Sequence, residues 1–164
     1  MPTSPTRLFA AMVTSPLLLA SCGGGGSGPT APEPLALTLT TASIMVDGQP
    51  VQPGGSFAAG AGSSTRFEAR LADQHGQPAG RFDVRLRHER PGPMVGSGVF
   101  ILYDDRTHGD SIFGDGVYTF EDTAGIAGFH RADAPPGRYH YDFYGIHRDG
   151  RETNHILVTV DVTD

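Results

Sequence analysis

Short runs in which apolar and polar residues alternate one by one narrow the folds open to this chain more than any other feature. Thr65, Phe67, Ala69 and Leu71 alternate with Arg66, Glu68 and Arg70; Phe82, Val84 and Leu86 alternate with Arg81, Asp83, Arg85 and Arg87. Tyr139, Tyr141 and Phe143 alternate with Arg138, His140 and Asp142; Ile156, Val158, Val160 and Val162 alternate with Leu157, Thr159 and Asp161. Successive side chains of a strand point to opposite faces, so each run predicts a strand with one face in a core and one in water. Leu35, Leu37 and Leu39 begin the series, residues 43–46 predict a second short strand, and Asp47-Gly48 predicts a turn. Residues 99–103 are apolar on both faces, the pattern of a central strand covered on both sides, and residues 117–121 predict another strand. Residues 49–62, 90–98 and 122–136 are expected to be loops, and no segment of useful length has a helical period. The 23 Gly and 13 Pro fall mainly between the runs, as turns require. About seven short strands predict an all-β antiparallel sandwich over residues 35–164. A domain of that size buries roughly two thirds of its unfolded surface and needs no disulfide.

The chain has one cysteine, Cys22, and no Trp. Before Cys22 come Arg7, an apolar stretch over residues 8–20 and small residues. The stretch is shorter than the roughly twenty residues that cross a bilayer. A charged start, a short apolar middle and a small-residue end mark a secretory signal peptide, here residues 1–21. The sequence Leu19-Ala20-Ser21-Cys22 resembles the end of bacterial lipoprotein leaders. The resemblance implies cleavage before Cys22 and acylation of that cysteine, which explains an odd cysteine in an exported chain. It further implies, from Gly23 where Asp favours inner-membrane retention, a lean toward the outer membrane. Residues 22–34, rich in Gly and then Pro, are expected to form a tether.

The run Pro135-Pro136-Gly137-Arg138-Tyr139-His140-Tyr141 resembles the approach to a late strand of immunoglobulin-like domains. It implies a fibronectin-III-like or bacterial immunoglobulin-like sandwich, in which Tyr139 would bond back to the preceding corner. The usual Cys pair and core Trp are absent.

The densest group of chemistry-bearing residues lies between two of the predicted strands. Asp104, Asp105, Asp110 and Asp115, with His108, fall in a stretch rich in Gly. The stretch resembles a loop of exported bacterial sandwich domains, including choice-of-anchor proteins, and of the extracellular domain of calcium-activated chloride channel regulators. The resemblance implies an extracytoplasmic immunoglobulin-like module and no reaction. Arg106 departs from it, standing where the pattern usually has Gly after two Asp. Two readings of the residues stay open, with a transition metal held through His108 as a remote third. The four carboxylates are structural turn-makers, accepting backbone N–H bonds, or they are ligands for calcium, a cation that takes six to eight oxygens. The spacing is not that of an EF-hand, because Arg106 and His108 fall where ligands belong.

Charge and motif set further limits. All 12 basic residues are Arg against 18 acids, and removal of Arg7 with the leader leaves a formal −7. Without a cationic cluster, nucleic acid is not an expected partner. Arg66, Arg70, Arg81, Arg85 and Arg87 are expected on one outer sheet face, in a charge ladder with Glu68 and Asp83. His140, His147 and His155 lack the Cys or carboxylate spacing of a zinc site. No nucleophile elbow, His-Glu-x-x-His pair or phosphate-cradling loop is present. The expectation is a lipid-anchored, non-catalytic binding or structural module of the cell envelope, no enzyme, whose partners are the membrane and a protein or envelope polymer. A calcium-dependent adhesion or assembly module is the alternative, and a small extracytoplasmic hydrolase a distant one.

Overall fold

The computed structural model describes residues 37–78, 82–91 and 98–164. The expected leader, Cys22, the tether and Arg81 lie outside the described residues. The described residues are all-β: nine strands in two sheets. They are β1 (Leu37–Val46), β2 (Gln49–Val51), β3 (Ser56–Ala58), β4 (Thr65–Asp73), β5 (Asp83–Glu89), β6 (Gly98–Leu102), β7 (Val117–Asp122), β8 (Gly137–Ile146) and β9 (Ile156–Thr163). One sheet has the order β2-β1-β4-β7 and the other β3-β9-β8-β5-β6. Setting β1, β4 and β7 in one sheet and β9, β8 and β5 in the other is the A-B-E and G-F-C order of an immunoglobulin-like sandwich.

Five expectations need correction. The two strands predicted over residues 35–46 are, from Leu37 on, one strand, β1, interrupted by a bulge. The register against β4 steps from Leu39↔Leu71 to Thr41↔Arg70, leaving Thr40 without an opposite number. One extra residue reverses which face later side chains occupy. Leu39 is therefore buried at an odd position, and Ile44 and Val46 at even ones. The expected loop at 49–62 contains β2 and β3. Asp47 and Gly48, at φ 47° and 77°, form the two-residue hairpin that returns Gln49 against Val46, a turn with positive φ at both positions. The sandwich is also not wholly antiparallel, because β3 pairs with β9 in parallel.

β6 is an edge strand and not a central one. Val99 is 51 % exposed and Ile101 44 %, whereas Leu102 faces the core. The arginines do not share one outer face either. Arg66 and Arg70 lie on β4 and Arg85 and Arg87 on β5, so they divide between the two sheets. Each group finds acids nearby: Arg66–Glu68 at 2.7 Å, Arg85–Asp83 at 3.4 Å and, across strands, Arg87–Asp142 at 3.9 Å.

The inward positions of the alternating runs meet between the sheets. Phe67, Leu71, Val84, Leu86, Tyr139, Tyr141, Phe143 and Val160 are all fully buried. Phe67 and Tyr141 bring rings from opposite sheets to 5.1 Å. The Tyr139 hydroxyl donates to the Pro135 carbonyl at 3.1 Å, the backward bond expected of that residue. The loop after β7 is drawn into this core by Asp122, itself 2 % exposed. Its carboxylate accepts the N–H groups of Ile126, Ala127 and Gly128 at 3.0, 2.8 and 2.6 Å. Ala127 and Phe129 are thereby fully buried, and the Tyr141 hydroxyl donates to the Ala127 carbonyl at 3.0 Å.

Candidate functional site

The Asp/Gly stretch connects β6 of one sheet to β7 of the other. Its first contact is a two-way bridge: Tyr103 N–H to Thr119 O and Thr119 N–H to Tyr103 O, both 2.8 Å. Further along, Glu121 N–H donates to His108 O at 2.9 Å, and Val117 N–H to Asp115 Oδ1 at 2.9 Å. Alternate N–H groups of a strand point to the same side. Val117, Thr119 and Glu121 therefore form the donor row that β7 turns away from β4, and the loop accepts all three. Thr119 is fully buried as a result. A sheet edge that would otherwise offer unpaired groups is closed by the chain's own loop.

The loop's backbone is bent to do this. Arg106, His108, Gly109, Gly114 and Gly116 have φ of 65°, 52°, 92°, 74° and 77°. Arg106 thus occupies the left-handed region where a side chain is disfavoured, and Asp110 compensates by accepting its N–H at 2.7 Å. The His108 ring stacks on Tyr103, with centroids 3.9 Å apart at 14°. Gly116 has a separate reason: a Cβ there would stand 2.8 Å from the Leu71 carbonyl and 2.9 Å from Pro78.

Each aspartate of the stretch bonds to backbone. Asp104 accepts the N–H groups of Gly114, Asp115 and Gly116 at 2.6, 3.2 and 3.1 Å, stapling the two ends of the loop together. Asp105 accepts the Thr107 N–H at 2.9 Å and also the Thr107 hydroxyl. Asp110 accepts from Arg106 and, at 3.2 Å, from Ile112. Asp104, Asp110 and Asp115 each place an oxygen within 4.8 Å of the others, and all three are half-buried. Asp105 stands outside this group, as does His108, whose Nδ1 pairs with the Thr107 hydroxyl at 2.6 Å. Burial pushes the Asp104 carboxyl above its ordinary range. The N–H bonds from Gly114 and Gly116 pull it back, and the Asp115 and Asp110 charges push it further up. Three converging carboxylates supply part of a calcium coordination sphere.

The three histidines weighed for zinc do not converge. His147 pairs with Asp149 at 2.7 Å. His155 lies between Asp142 and Glu152, at 2.9 and 3.2 Å, and stacks on Tyr144 at 4.9 Å. Among the described residues, the aspartate trio is the one group of three or more His, Cys, Asp or Glu side chains whose ligand atoms all lie within 4.8 Å of one another. Sequence reasoning missed two buried polar groups, Asp122 and His88. His88 is 3 % exposed, stacks on Phe100 at 5.2 Å, and leaves Nδ1 without a partner. Its alternation with Val84 and Leu86 was the available signal.

No family model and no curated protein matches this chain. Among solved structures, it is similar to the extracellular domain of a hybrid two-component system of B. thetaiotaomicron. The identity is 13 %, 78 % of this chain is covered, and the TM-score is 0.43. It is also similar to the PmoD soluble domain of a Methylocystis species, at 11 % identity over 74 % of this chain with a TM-score of 0.40. The match spans 15 % of the first protein's chain and 89 % of the second's. Among the described residues no helix is long and apolar enough to cross a membrane.

Proposed function

We propose that the chain is a lipid-anchored cell-envelope protein that displays a non-catalytic immunoglobulin-like binding or structural module. Cys22 is its acylated residue, its side of the envelope is the outer membrane, and its partner is a protein or an envelope polymer. The observation that carries the non-catalytic half is the use made of the Asp/Gly loop. In the stretch richest in chemical groups, the carboxylates hold the loop's own backbone and the loop holds the edge of β7. The anchored half is supported by Leu19-Ala20-Ser21-Cys22 after an apolar stretch. Two or more acyl chains hold a protein stably to a bilayer where one does not.

The experiment is expression of the whole chain with and without Cys22→Ser. The unaltered protein should sediment with membranes and leave them only in detergent, and metabolic labelling should place fatty acid on it. Cys22→Ser should lose both label and membrane fraction. A protein that stays membrane-bound without Cys22 would end the lipoprotein reading.

One observation favours a second reading, a calcium-dependent adhesion or assembly module: the convergence of Asp104, Asp110 and Asp115 oxygens. A carboxylate oxygen that accepts one N–H keeps a lone pair for a cation. The two readings differ in whether the loop needs an ion to hold its shape.

A further inference from the structure

We propose that Ile112 and Phe113, at the tip of the β6–β7 loop, rest in the surface of the bilayer to which the chain is tethered, a surface of zwitterionic phospholipid. This inference rests on the lipid-anchor reading of Cys22. The two residues are 55 % and 62 % exposed and adjacent in sequence. They are also held in place: the Ile112 N–H is bonded to Asp110 and the Gly114 N–H to Asp104. A tip whose backbone is already fixed offers its apolar side chains at little further ordering cost.

Its position in the fold points to the occupant. The tip sits at the end of the sandwich where β1 begins. Leu37, the first described residue, pairs with Asp73, and two residues on Leu39 pairs with Leu71. Leu71 N–H in turn donates to Gly116 O at 2.9 Å, and Gly116 packs on Pro78. Leu39, Leu71 and Gly116 thus lie on three neighbouring backbone lines, a lateral reach of about 10 Å at normal strand spacing. Asp104 then binds Gly114 to the same place. Fifteen peptide steps separate Cys22 from Leu37, a length of chain that reaches at most about 50 Å. Ile126, also exposed at 56 %, belongs to the opposite end, near Asp122, which pairs with Thr65 at the far end of β4. The aspartates behind the tip set the lipid class, since anionic headgroups would repel them.

The chain contains no Trp, so one introduced residue gives an unmixed fluorescence signal. Phe113→Trp and Ile126→Trp are made separately in the full acylated protein. Each is reconstituted into vesicles of phosphatidylethanolamine and phosphatidylcholine, with and without brominated acyl chains. Emission from position 113 should shift to the blue on the vesicles and be quenched by bromine, and emission from position 126 should do neither. Adding Ile112→Ser should weaken the quenching at 113. Flotation of the same samples reports the anchor independently. Failure to float overturns the anchor reading and this one with it. Flotation with position 113 quenched no more than position 126 overturns this one alone.

Discussion

Asp104→Ala removes one carboxylate and strands three backbone donors, those of Gly114, Asp115 and Gly116. A donor that loses its partner in a half-buried setting costs about 1 kcal/mol, and more as burial increases. Against that, the variant relieves the burial and like-charge repulsion that push the Asp104 carboxyl upward. The net expectation is a loss of about 2–3 kcal/mol, which in a domain of this size lowers Tm by roughly 10 °C. The loss has a location as well as a size. With the staple gone, the loop no longer holds β7, so the Val117, Thr119 and Glu121 amides should exchange with solvent faster, while the Phe67 amide between β1 and β7 should not. Asp104→Asn keeps one acceptor oxygen and should lose less. Asp105→Ala, whose carboxylate serves Thr107 alone at an exposed position, should cost about 1 kcal/mol or less. Chemical denaturation followed by circular dichroism, with hydrogen exchange read by mass spectrometry, measures both parts. An Asp104→Ala protein as stable as the parent, or one whose β7 edge amides exchange no faster, would refute the staple.

Acid should weaken the fold through His88. Burial, with Arg90 adding to it and Asp122 opposing, holds the His88 imidazole down at about 4 against an ordinary 6.5. A depressed folded value means that the unfolded chain takes up the proton first, so stability falls as pH drops from about 6.5 to about 4 and levels below. The full shift caps the effect at roughly 3 kcal/mol, and screening by nearby solvent leaves roughly 1–2 kcal/mol. A His88→Phe variant should lose that slope in a pH series of melts, and an unchanged slope would place its origin elsewhere. Tyr139→Phe should cost about 1 kcal/mol in denaturation, the worth of its bond to the Pro135 carbonyl. Asp122→Ala should cost about 3–5 kcal/mol, because it leaves three N–H groups unpaired, two of them in buried bonds, and frees the loop carrying Phe129. A loss below 1 kcal/mol would show that the loop docks without it.

The alternating runs made the strands of the core legible, because a half-buried strand writes its two faces directly into the sequence. What they could not show was any feature set by a neighbour. Thr40 looks like any other residue of an alternating run, yet its bulge joins two expected strands into one. Val99 and Ile101 have the pattern of a central strand, but burial depends on what lies beside β6, and nothing in the described fold pairs with its outer edge. Residues 49–51 and 56–58 are too short, and set among too many Gly and Pro, to announce themselves, and they become strands only by pairing with β1 and β9. At the site, the density of aspartate is plain, and Arg106, which has positive φ, stands where the resembled pattern has Gly, the residue that such an angle favours. Which carboxylates converge was not legible. Asp105 turns to Thr107 while Asp110 turns back to Arg106, a division decided by backbone angles rather than by spacing. Asp122 offers no pattern in the sequence, because its burial is set by tertiary contacts alone, whereas His88 continues the inward alternation of Val84 and Leu86.

The most direct test of the structural role assigned to the Asp/Gly loop is a melt of the mature protein in excess EDTA, then across a Ca²⁺ titration, with Mg²⁺ as the control. An ion that binds only the native state adds about 2.7 kcal/mol at a hundredfold excess over Kd. If the carboxylates of Asp104, Asp110 and Asp115 serve the loop's own backbone, Tm should be the same in EDTA, Mg²⁺ and Ca²⁺. A Ca²⁺-selective rise that Asp110→Asn abolishes would contradict that role and make the loop a metal site.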